Sequence, residues 1–369
     1  MKLSKPSKRA PTRPQRPAIT TDEYAVDYID HAPVWPAAIL TPGLFRPLQN
    51  GAPTAPWTLI RRGTFRECAS AFSIAGALKL NIVDQTVYFH LCQLLAAGRG
   101  AVFTPEHPQY SHYQQLLGVA GVWSNEPMAV IAGKLSDLAA GIGLSRTGTN
   151  AKSVLASLNR LNLVTVSTRT ILPSRKMLEG VSRLIALERA DNEVRIALHF
   201  ESTYLAQQRK AVAWVNMREQ RSLPSKPAKR LHAWLSAWAS SREFRLVGLS
   251  KLVVNVWGDV PANPDIRKDR MRTLRKALKA VGQLPGWSCV EMAGSEQVYV
   301  RKPRFVGTVA KVQAAIEQSK VGDQAATPTP VANTTTEDAV TPPKVAATAT
   351  TQTAGPTPSM ASEELFFSL

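Results

Sequence analysis

One order of sequence signals occurs twice in this chain, and it restricts the fold more than any other feature. LSDLAAGIGL, which starts at Leu135, and LSKLVVNVWG, which starts at Leu249, both read Leu-Ser-x-Leu, then apolar residues and Gly. A longer stretch with helical spacing follows each copy, and then a run typical of a β-strand. Short helix, turn, longer helix and strand is the order of a winged helix-turn-helix. We therefore predict an α+β fold with two tandem winged helix-turn-helix domains.

The segment before the first copy predicts a core-facing helix. Apolar residues recur at spacings of three and four from Leu80 to Leu94, and the helix should end near Gly98. Pro33 to Trp57 is Pro-rich and predicts an extended stretch. Residues 98–127 have no clear period and predict a long loop, with one turn of helix at Tyr113 to Leu117, before a short strand at Met128 to Ile131.

The first copy should contain two helices separated by a break at Gly143. Thr149 or Asn150 is the predicted N-cap of the second helix, because a short polar side chain there can accept a hydrogen bond from the first turn. The predicted apolar stripe of that helix is Val154, Leu158 and Leu161.

The second copy begins at a helix with strong amphipathic spacing. Leu231, Trp234, Leu235 and Trp238 fall at i, i+3, i+4 and i+7, just downstream of the prolines or capping residues Pro224, Ser225 and Pro227. The Leu249 segment, a helix from Asp265 to Val281 and an alternating run that ends at Val300 complete the order.

Residues 266–281, IRKDRMRTLRKALKAV, separate an apolar face from a basic face. At about 100° per residue, four basic side chains fall on one stripe, away from the apolar stripe. Such a helix can pack on its domain while it lies in a major groove, where Arg and Lys reach guanine edges and phosphates. A solvated charged face is the alternative, but like charges repel unless an anion lies on them. The predicted DNA contacts on this helix are Arg267, Lys268, Arg272, Arg275, Lys276 and Lys279.

The equivalent helix of the first copy is less basic. Its predicted DNA-contacting residues are Arg146, Thr149, Asn150, Lys152 and Ser153. The alternative for this domain is a packing or dimerisation role. Arg301 and Lys302, which follow the last predicted strand, complete the predicted contacts.

The charge of the chain is concentrated in its central part. The 369 residues carry 45 Lys and Arg against 27 Asp and Glu, a net charge of +18. Residues 1–35 predict a disordered basic arm and residues 306–369, rich in Thr, Pro and Ala, a disordered tail. A surplus of +15 remains between residues 21 and 305. We therefore expect the folded part, with domains at 36–215 and 216–305, to bind a polyanion.

Several classes of chemistry are not supported by the sequence. The three cysteines have no CxxC spacing, no GxxxxGK[ST] motif occurs, and no apolar run approaches the ~20 residues of a membrane span. His107 and His112 are five residues apart in HPQYSHY, which does not suit paired metal ligands of a nickase. We expect a cytoplasmic protein that is not an enzyme and has no cofactor or metal.

The chain resembles replication protein C (RepC), the origin-binding initiator of IncQ-type plasmids, and more loosely the tandem winged-helix plasmid initiators. The resemblance covers about residues 42–303 and combines segments that are weak singly. These are TPGLFRPLQNG from Thr41, KLSDLAAGIG from Lys134, RSLPSKPAKRLHAWLSAW from Arg221, VWGDVP from Val256, the basic helix, and GWSCVEMAG from Gly286.

The resemblance implies binding to directly repeated origin sequences (iterons), opening of an adjacent AT-rich region, and recruitment of a plasmid-encoded helicase and primase. It implies no catalytic residue, and its recognition helix maps onto Arg267 to Lys279. An autorepressor with the same domains is the alternative, because both functions need the same base-reading surface.

The last eight residues, SEELFFSL, end the tail with a short acidic and aromatic segment. No aromatic residue occurs between Val306 and Leu365, and then Phe366 and Phe367 stand together. We predict that Leu365, Phe366 and Phe367 bind a host replication protein, since a flexible tether raises the effective concentration of a partner. Folding back onto the core, or no function, are the alternatives.

Overall fold

The computed structural model describes residues 30–48, 56–65, 68–172, 174, 176–190, 193–199 and 212–303. These residues belong to one compact unit that mixes helices and strands, as predicted. The basic arm and the tail with Leu365, Phe366 and Phe367 lie outside the described residues.

In residues 30–222, sheets surround one buried helix, Ile82–Ala96. The helices are α1 (Pro36–Leu40), α2 (Ile82–Ala96), α3 (Tyr110–Leu117), α4 (Leu135–Gly141), α5 (Gly148–Asn162) and α6 (Met217–Ser222). The strands are β1 (His31–Val34), β2 (Phe45–Arg46), β3 (Trp57–Phe65), β4 (Cys68–Gly76), β5 (Leu80–Asn81), β6 (Ala101–Phe103), β7 (Ala120–Gly121), β8 (Met128–Gly133), β9 (Val164–Ile171), β10 (Met177–Arg183), β11 (Ile185–Ala190), β12 (Glu193–Leu198) and β13 (Ala213–Asn216).

Two antiparallel sheets and the helix α2 form the core of this part. The sheet orders are β3-β4-β9-β10-β7 and β11-β12-β8-β6, and β1 pairs with β13. Helix α2 is buried on almost all sides, so its residues have no polar stripe, and Tyr88, Phe89 and Leu91 are fully buried. A helix of this kind fixes the elements that pack around it, α4 and α5 among them.

Residues 226–301 form a smaller helical layer on a three-stranded sheet. The elements are α7 (Lys226–Trp238), β14 (Arg245–Gly248), α8 (Leu249–Trp257), α9 (Pro264–Gly282), β15 (Ser288–Glu291) and β16 (Gln297–Arg301). The sheet order is β14-β16-β15, with both pairs antiparallel. Its core is made by Leu231, Trp234, Leu235, Leu252, Val256, Leu274, Leu278 and Val298.

A buried ion pair joins α2 to α5. The Asp84 carboxylate, fully buried, accepts hydrogen bonds from Arg160 Nη2 at 2.7 Å and Nε at 3.0 Å, and from the Ser157 hydroxyl. Asp84 also closes the capping box at the start of α2, where its side chain accepts from the backbone N–H of Asn81. One carboxylate therefore fixes both the start of α2 and the position of α5.

The structure confirms most of the predicted helices and strands and corrects others. The helix predicted from Leu80 to Leu94 is α2, and the predicted helices at 249 and 265–281 are α8 and α9. The helical turn predicted at 113–117 lies within α3, but the rest of the long loop predicted for residues 98–127 is wrong, because β6 and β7 also form there. Tyr110 and Tyr113 are buried in a small separate cluster. The extended stretch predicted from Pro33 is interrupted by α1.

The predicted N-cap of α5 is also wrong. Thr147 caps the helix, and its hydroxyl accepts a hydrogen bond from the backbone N–H of Asn150. Thr149 and Asn150 therefore lie inside the first turn. The predicted domain boundary at residue 216 stays a prediction; α6 begins at Met217, and side chains of both parts meet around it.

Asp84→Ala is expected to lower the free energy of unfolding by about 3 kcal/mol or more, because it leaves the Arg160 guanidinium without its carboxylate in a largely buried site. Chemical denaturation followed by circular dichroism measures the change. The matched control is Asp137→Ala, which removes an exposed partner of Arg146 at 3.3 Å and should change the same quantity by less than about 1 kcal/mol. Equal effects of the two substitutions would contradict the role of Asp84.

Candidate nucleic-acid interface

Helix α9 begins and packs in a way that leaves its basic face exposed. The Asn263 side chain caps it by accepting from the backbone N–H groups of Asp265 and Ile266, and Pro264 occupies its first position. Met271, Leu274, Ala277, Leu278 and Val281 are buried against α7, α8 and β15. The opposite face is exposed along its length and carries Arg267, Lys268, Arg272, Arg275, Lys276 and Lys279.

The turn between α8 and α9 is held by an arginine that the sequence analysis did not select. Arg270 donates to the Asp259 carboxylate at 2.6 Å, and its guanidinium lies 5.7 Å from the centre of the Trp257 ring. This side chain is less exposed than its basic neighbours. Arg270 therefore fixes the angle between the two helices and is not part of the basic face.

The six predicted contacts on α9 differ in their ion pairing. Arg272 Nη2 lies 2.9 Å from Asp269 Oδ1 on the same helix, and Arg275 Nε lies 2.9 Å from Glu291 Oε1 on β15. Arg267, Lys268, Lys276 and Lys279 make no ion pair with any described residue. Four uncompensated charges remain on one face of one helix, which favours a polyanionic ligand.

The start of α5 presents the predicted contacts of the first part. Thr149, Lys152 and Ser153 are exposed on its first turns. Arg146 is exposed and lies 3.3 Å from Asp137. Asn150 holds the turn itself, because its amide nitrogen donates to the backbone carbonyl and the hydroxyl of Ser145 at 2.9 and 2.8 Å.

Arg301 and Lys302 contact residues of the protein that lie outside α9. Lys302 Nζ donates to the carbonyl of Ser236 near the end of α7 at 2.6 Å, and burial lowers its pKa below the ordinary value. The guanidinium of Arg301 lies 5.0 Å from the centre of the Phe244 ring. Both side chains already have protein partners, unlike the lysines of α9.

The sequence analysis missed a buried arginine at the junction of the two parts. Arg230 on α7 is fully buried and donates to the carbonyls of Asn255 on α8 and Thr41 after α1, at 3.2 and 3.1 Å. Its Nη1 has no hydrogen-bond partner in the described structure, and burial lowers the pKa of Arg230 to about 9. Periodicity alone places Arg230 one residue before the apolar stripe and gives no signal of this role.

Two glycines allow the backbones of the two parts to touch. Gly258 ends α8 with φ of +90°, and a Cβ built on it would lie 2.6 Å from the Cα of Gly43. Both glycines belong to segments that carry the family resemblance, TPGLFRPLQNG and VWGDVP. The structure brings these segments together, although more than 200 residues separate them.

The short helix α6 adds a second connection between the parts. Arg221 Nη1 donates to the carbonyl of Gly141 at the end of α4, at 2.6 Å. The Glu219 carboxylate accepts from His232 Nε2 at 2.7 Å and from Trp287 Nε1 at 2.9 Å. Since Gln220 donates to His232 Nδ1, the imidazole carries its proton on Nε2. Side chains of one helix turn therefore connect α4 of the first part to α7 and to the turn between α9 and β15 of the second part.

The histidines of the HPQYSHY segment make separate contacts. His107 stacks on Phe103, and His112 lies 3.0 Å from Glu188. Among the described residues there is no group of three or more His, Cys, Asp or Glu that could hold a metal ion. None of the described helices is both long and apolar enough to span a bilayer.

Comparisons with known proteins identify one family. The family model described as Replication protein C (RepC) matches residues 25–303. A search of curated proteins gave no match. Two solved structures are similar. The first is the selenomethionine derivative of domains 2 and 3 of RctB, which has a TM-score of 0.42 and 9% identity, over 70% of this chain and 95% of that one. A second structure of RctB domains 2–3 has a TM-score of 0.40 and 10% identity over 72% and 96%.

Gly258→Ala is expected to lower the free energy of unfolding by at least about 2 kcal/mol, because it adds both a left-handed strain and a clash with Gly43. Gly294→Ala is the matched control: Gly294 has φ of +71°, but nothing lies within 4 Å of its added Cβ. Denaturant titration measures both. The difference between the two variants reports the contact between the parts, and no difference would show that this contact does not contribute to stability.

Proposed function

The chain belongs to the replication protein C (RepC) family of plasmid replication initiators, and we propose on that premise that it binds directly repeated origin sequences through α9 and α5. The observation that carries the proposal is the α9 basic face, with four cations that no described acid neutralises. Helix α9 is about 28 Å long, enough to lie along a major groove. In this role the arginines read base edges and the lysines neutralise phosphates.

The proposal includes two tandem winged helix-turn-helix units. In the second, α7, β14, α8, α9, β15 and β16 follow in the order of that motif, with α9 as the recognition helix and the β15–β16 turn as the wing. In the first, α2 precedes α4 and α5, and the β9–β10 hairpin follows as the wing. The exposed start of α5 then contacts a second stretch of DNA.

We propose that the protein acts by binding and not as an enzyme. Held on successive repeats, it would favour opening of an adjacent AT-rich region and recruit the plasmid-encoded helicase and primase. Leu365, Phe366 and Phe367 are the proposed site for a host replication protein. These partners are suggested by the family, and the tail segment by its sequence alone.

An autorepressor without an origin-opening role is the alternative function. The two functions differ in what a plasmid needs, so the test supplies the protein in trans to a plasmid that carries only the candidate origin. Replication of that plasmid supports the initiator. Repression of the promoter of the gene, without replication of the plasmid, would support the autorepressor.

Arg272→Ala and Arg275→Ala are each expected to weaken binding to the origin fragment by about 1–3 kcal/mol, the size of a lost base-edge contact. Fluorescence anisotropy at moderate salt measures the affinity. Arg242→Ala, an exposed arginine on the turn after α7, is the control for charge alone. If both α9 variants bind as tightly as the wild type, α9 is not the recognition helix.

Binding is expected to weaken steeply with salt. Contacts from two units should neutralise about 6–10 phosphates, which gives a slope of log K against log[salt] near −5 to −9. Deletion of residues 1–20, which carry six basic residues, should reduce the slope by about one unit or more without changing the preferred sequence. A changed preference would indicate that the arm reads a minor groove.

A further inference from the structure

The end of β15, just before the turn to β16, places the acidic residue Glu291 beside the α9 basic face. Arg275 Nε donates to both carboxylate oxygens of Glu291, at 2.9 and 3.2 Å. Both side chains are partly exposed, 46% and 38%. The same residues line an open depression together with residues 292–296, so there is room for a ligand next to the pair.

The way in which Arg275 is paired leaves its terminal nitrogens available. Glu291 occupies Nε, and Nη1 and Nη2 have no hydrogen-bond partner among the residues that the structure describes. Guanine presents O6 and N7 as two adjacent acceptors in the major groove, and a guanidinium contacts them through two parallel N–H groups. Arg275 is thus held at one edge and open at the edge that matches guanine.

The carboxylate that holds Arg275 is itself fixed by the sheet. Glu291 is the last residue of β15 and lies opposite Val298 of β16, which is buried. A carboxylate on a paired strand has less freedom than one on a helix surface or a loop. A guanidinium with a fixed Nε loses less rotamer entropy when it meets a base.

Arg272 provides the contrast on the same helix. Its partner is Asp269, three residues earlier on α9, and the bond uses Nη2, one of the two terminal nitrogens. That pairing occupies part of the edge that would contact guanine. Arg272 is therefore suited to a single acceptor on a base edge, and Arg275 to a base with two acceptors.

We propose that Glu291 is a positioning residue that sets Arg275 to read one guanine of the binding site. The inference rests on the proposed function, because it requires α9 to lie in a major groove. It explains why an acidic residue stands beside a face that must meet phosphates: its repulsion reduces binding to every sequence, while its bond to Arg275 improves binding to one base. Glu291 is thereby a specificity residue and not a source of affinity.

The test uses the full-length protein and selection from a duplex pool with about 20 randomised base pairs, a repeat-sized window. The wild type and the variants Glu291→Ala and Arg275→Lys are compared. Glu296→Ala is the matched control, since it removes the same charge from the nearby β15–β16 turn, and the Glu296 carboxylate has no bond to Arg275. Melting temperatures of all four proteins confirm that they fold.

The wild type and Glu296→Ala should select the same consensus, with one guanine that both Glu291→Ala and Arg275→Lys no longer require. The affinity ratio between that duplex and its G-to-A counterpart should fall by about 5-fold or more in Glu291→Ala, within the ~5- to 160-fold range of an arginine–guanine pair. Arg275→Lys keeps the positive charge but lacks the guanidinium that contacts O6 and N7 together. The slope of log K against log[salt] should therefore stay unchanged.

Two outcomes would overturn the inference or its premise separately. If Glu291→Ala binds all duplexes more tightly and keeps the guanine preference, Glu291 acts through its charge alone, and the inference is wrong. If the wild type selects no consensus, sequence-specific binding itself fails, and so does the proposed function.

Discussion

The buried guanidinium of Arg230 is the interaction on which the arrangement of this protein depends. A cation without a carboxylate partner is costly to bury, and here two backbone carbonyls, of Thr41 and Asn255, receive its N–H groups. Those carbonyls belong to the first and second parts of the chain. Separation of the parts would leave both the cation and the carbonyls to find new partners, so the two parts are stable together.

The connections around Arg230 also decide where helices α5 and α9 stand. Arg221 bonds to the end of α4, and Glu219 bonds to His232 of α7 and to Trp287. The backbone of Gly258 packs directly against that of Gly43. These contacts are made by backbone groups and by largely buried side chains, which allow little rotation. Helices α5 and α9 are therefore presented by one body.

Local signals in the sequence were sufficient to predict α2, α8, α9 and the basic face, because each depends on spacing within a single element. The apolar stripe of Met271, Leu274 and Leu278 predicts which side of α9 is buried, and therefore which side is exposed. The predicted N-cap of α5, Thr149 or Asn150, lies two or three residues after the observed one, because Thr147, Thr149 and Asn150 are all good caps. Only the turn from Ser145 distinguishes them. Residues 98–127 fold by pairing with distant strands, which no local period reveals.

The non-local contacts of charged residues were the least predictable part of the site. Arg160, Arg230 and Arg270 resemble the other arginines in the sequence, and only the acids, carbonyls and rings of other segments show that they are structural. The same holds for Glu291, which is separated from Arg275 by a turn and a strand. The types of residue predict the class of ligand, a polyanion. The fold decides which of the cations have protein partners and which do not.

The connection of the two parts through α6 and Arg230 has a consequence for the geometry of a DNA target bound as proposed. If α5 and α9 contact DNA as we propose, they are two reading heads on one body. Their two stretches of sequence must then keep a constant rotational phase, because duplex DNA turns about once every 10.5 base pairs. A target in which half a turn is inserted between these stretches faces one head with the wrong side of the duplex. In that proposal the folded protein, and not a flexible linker, sets the spacing between the two stretches.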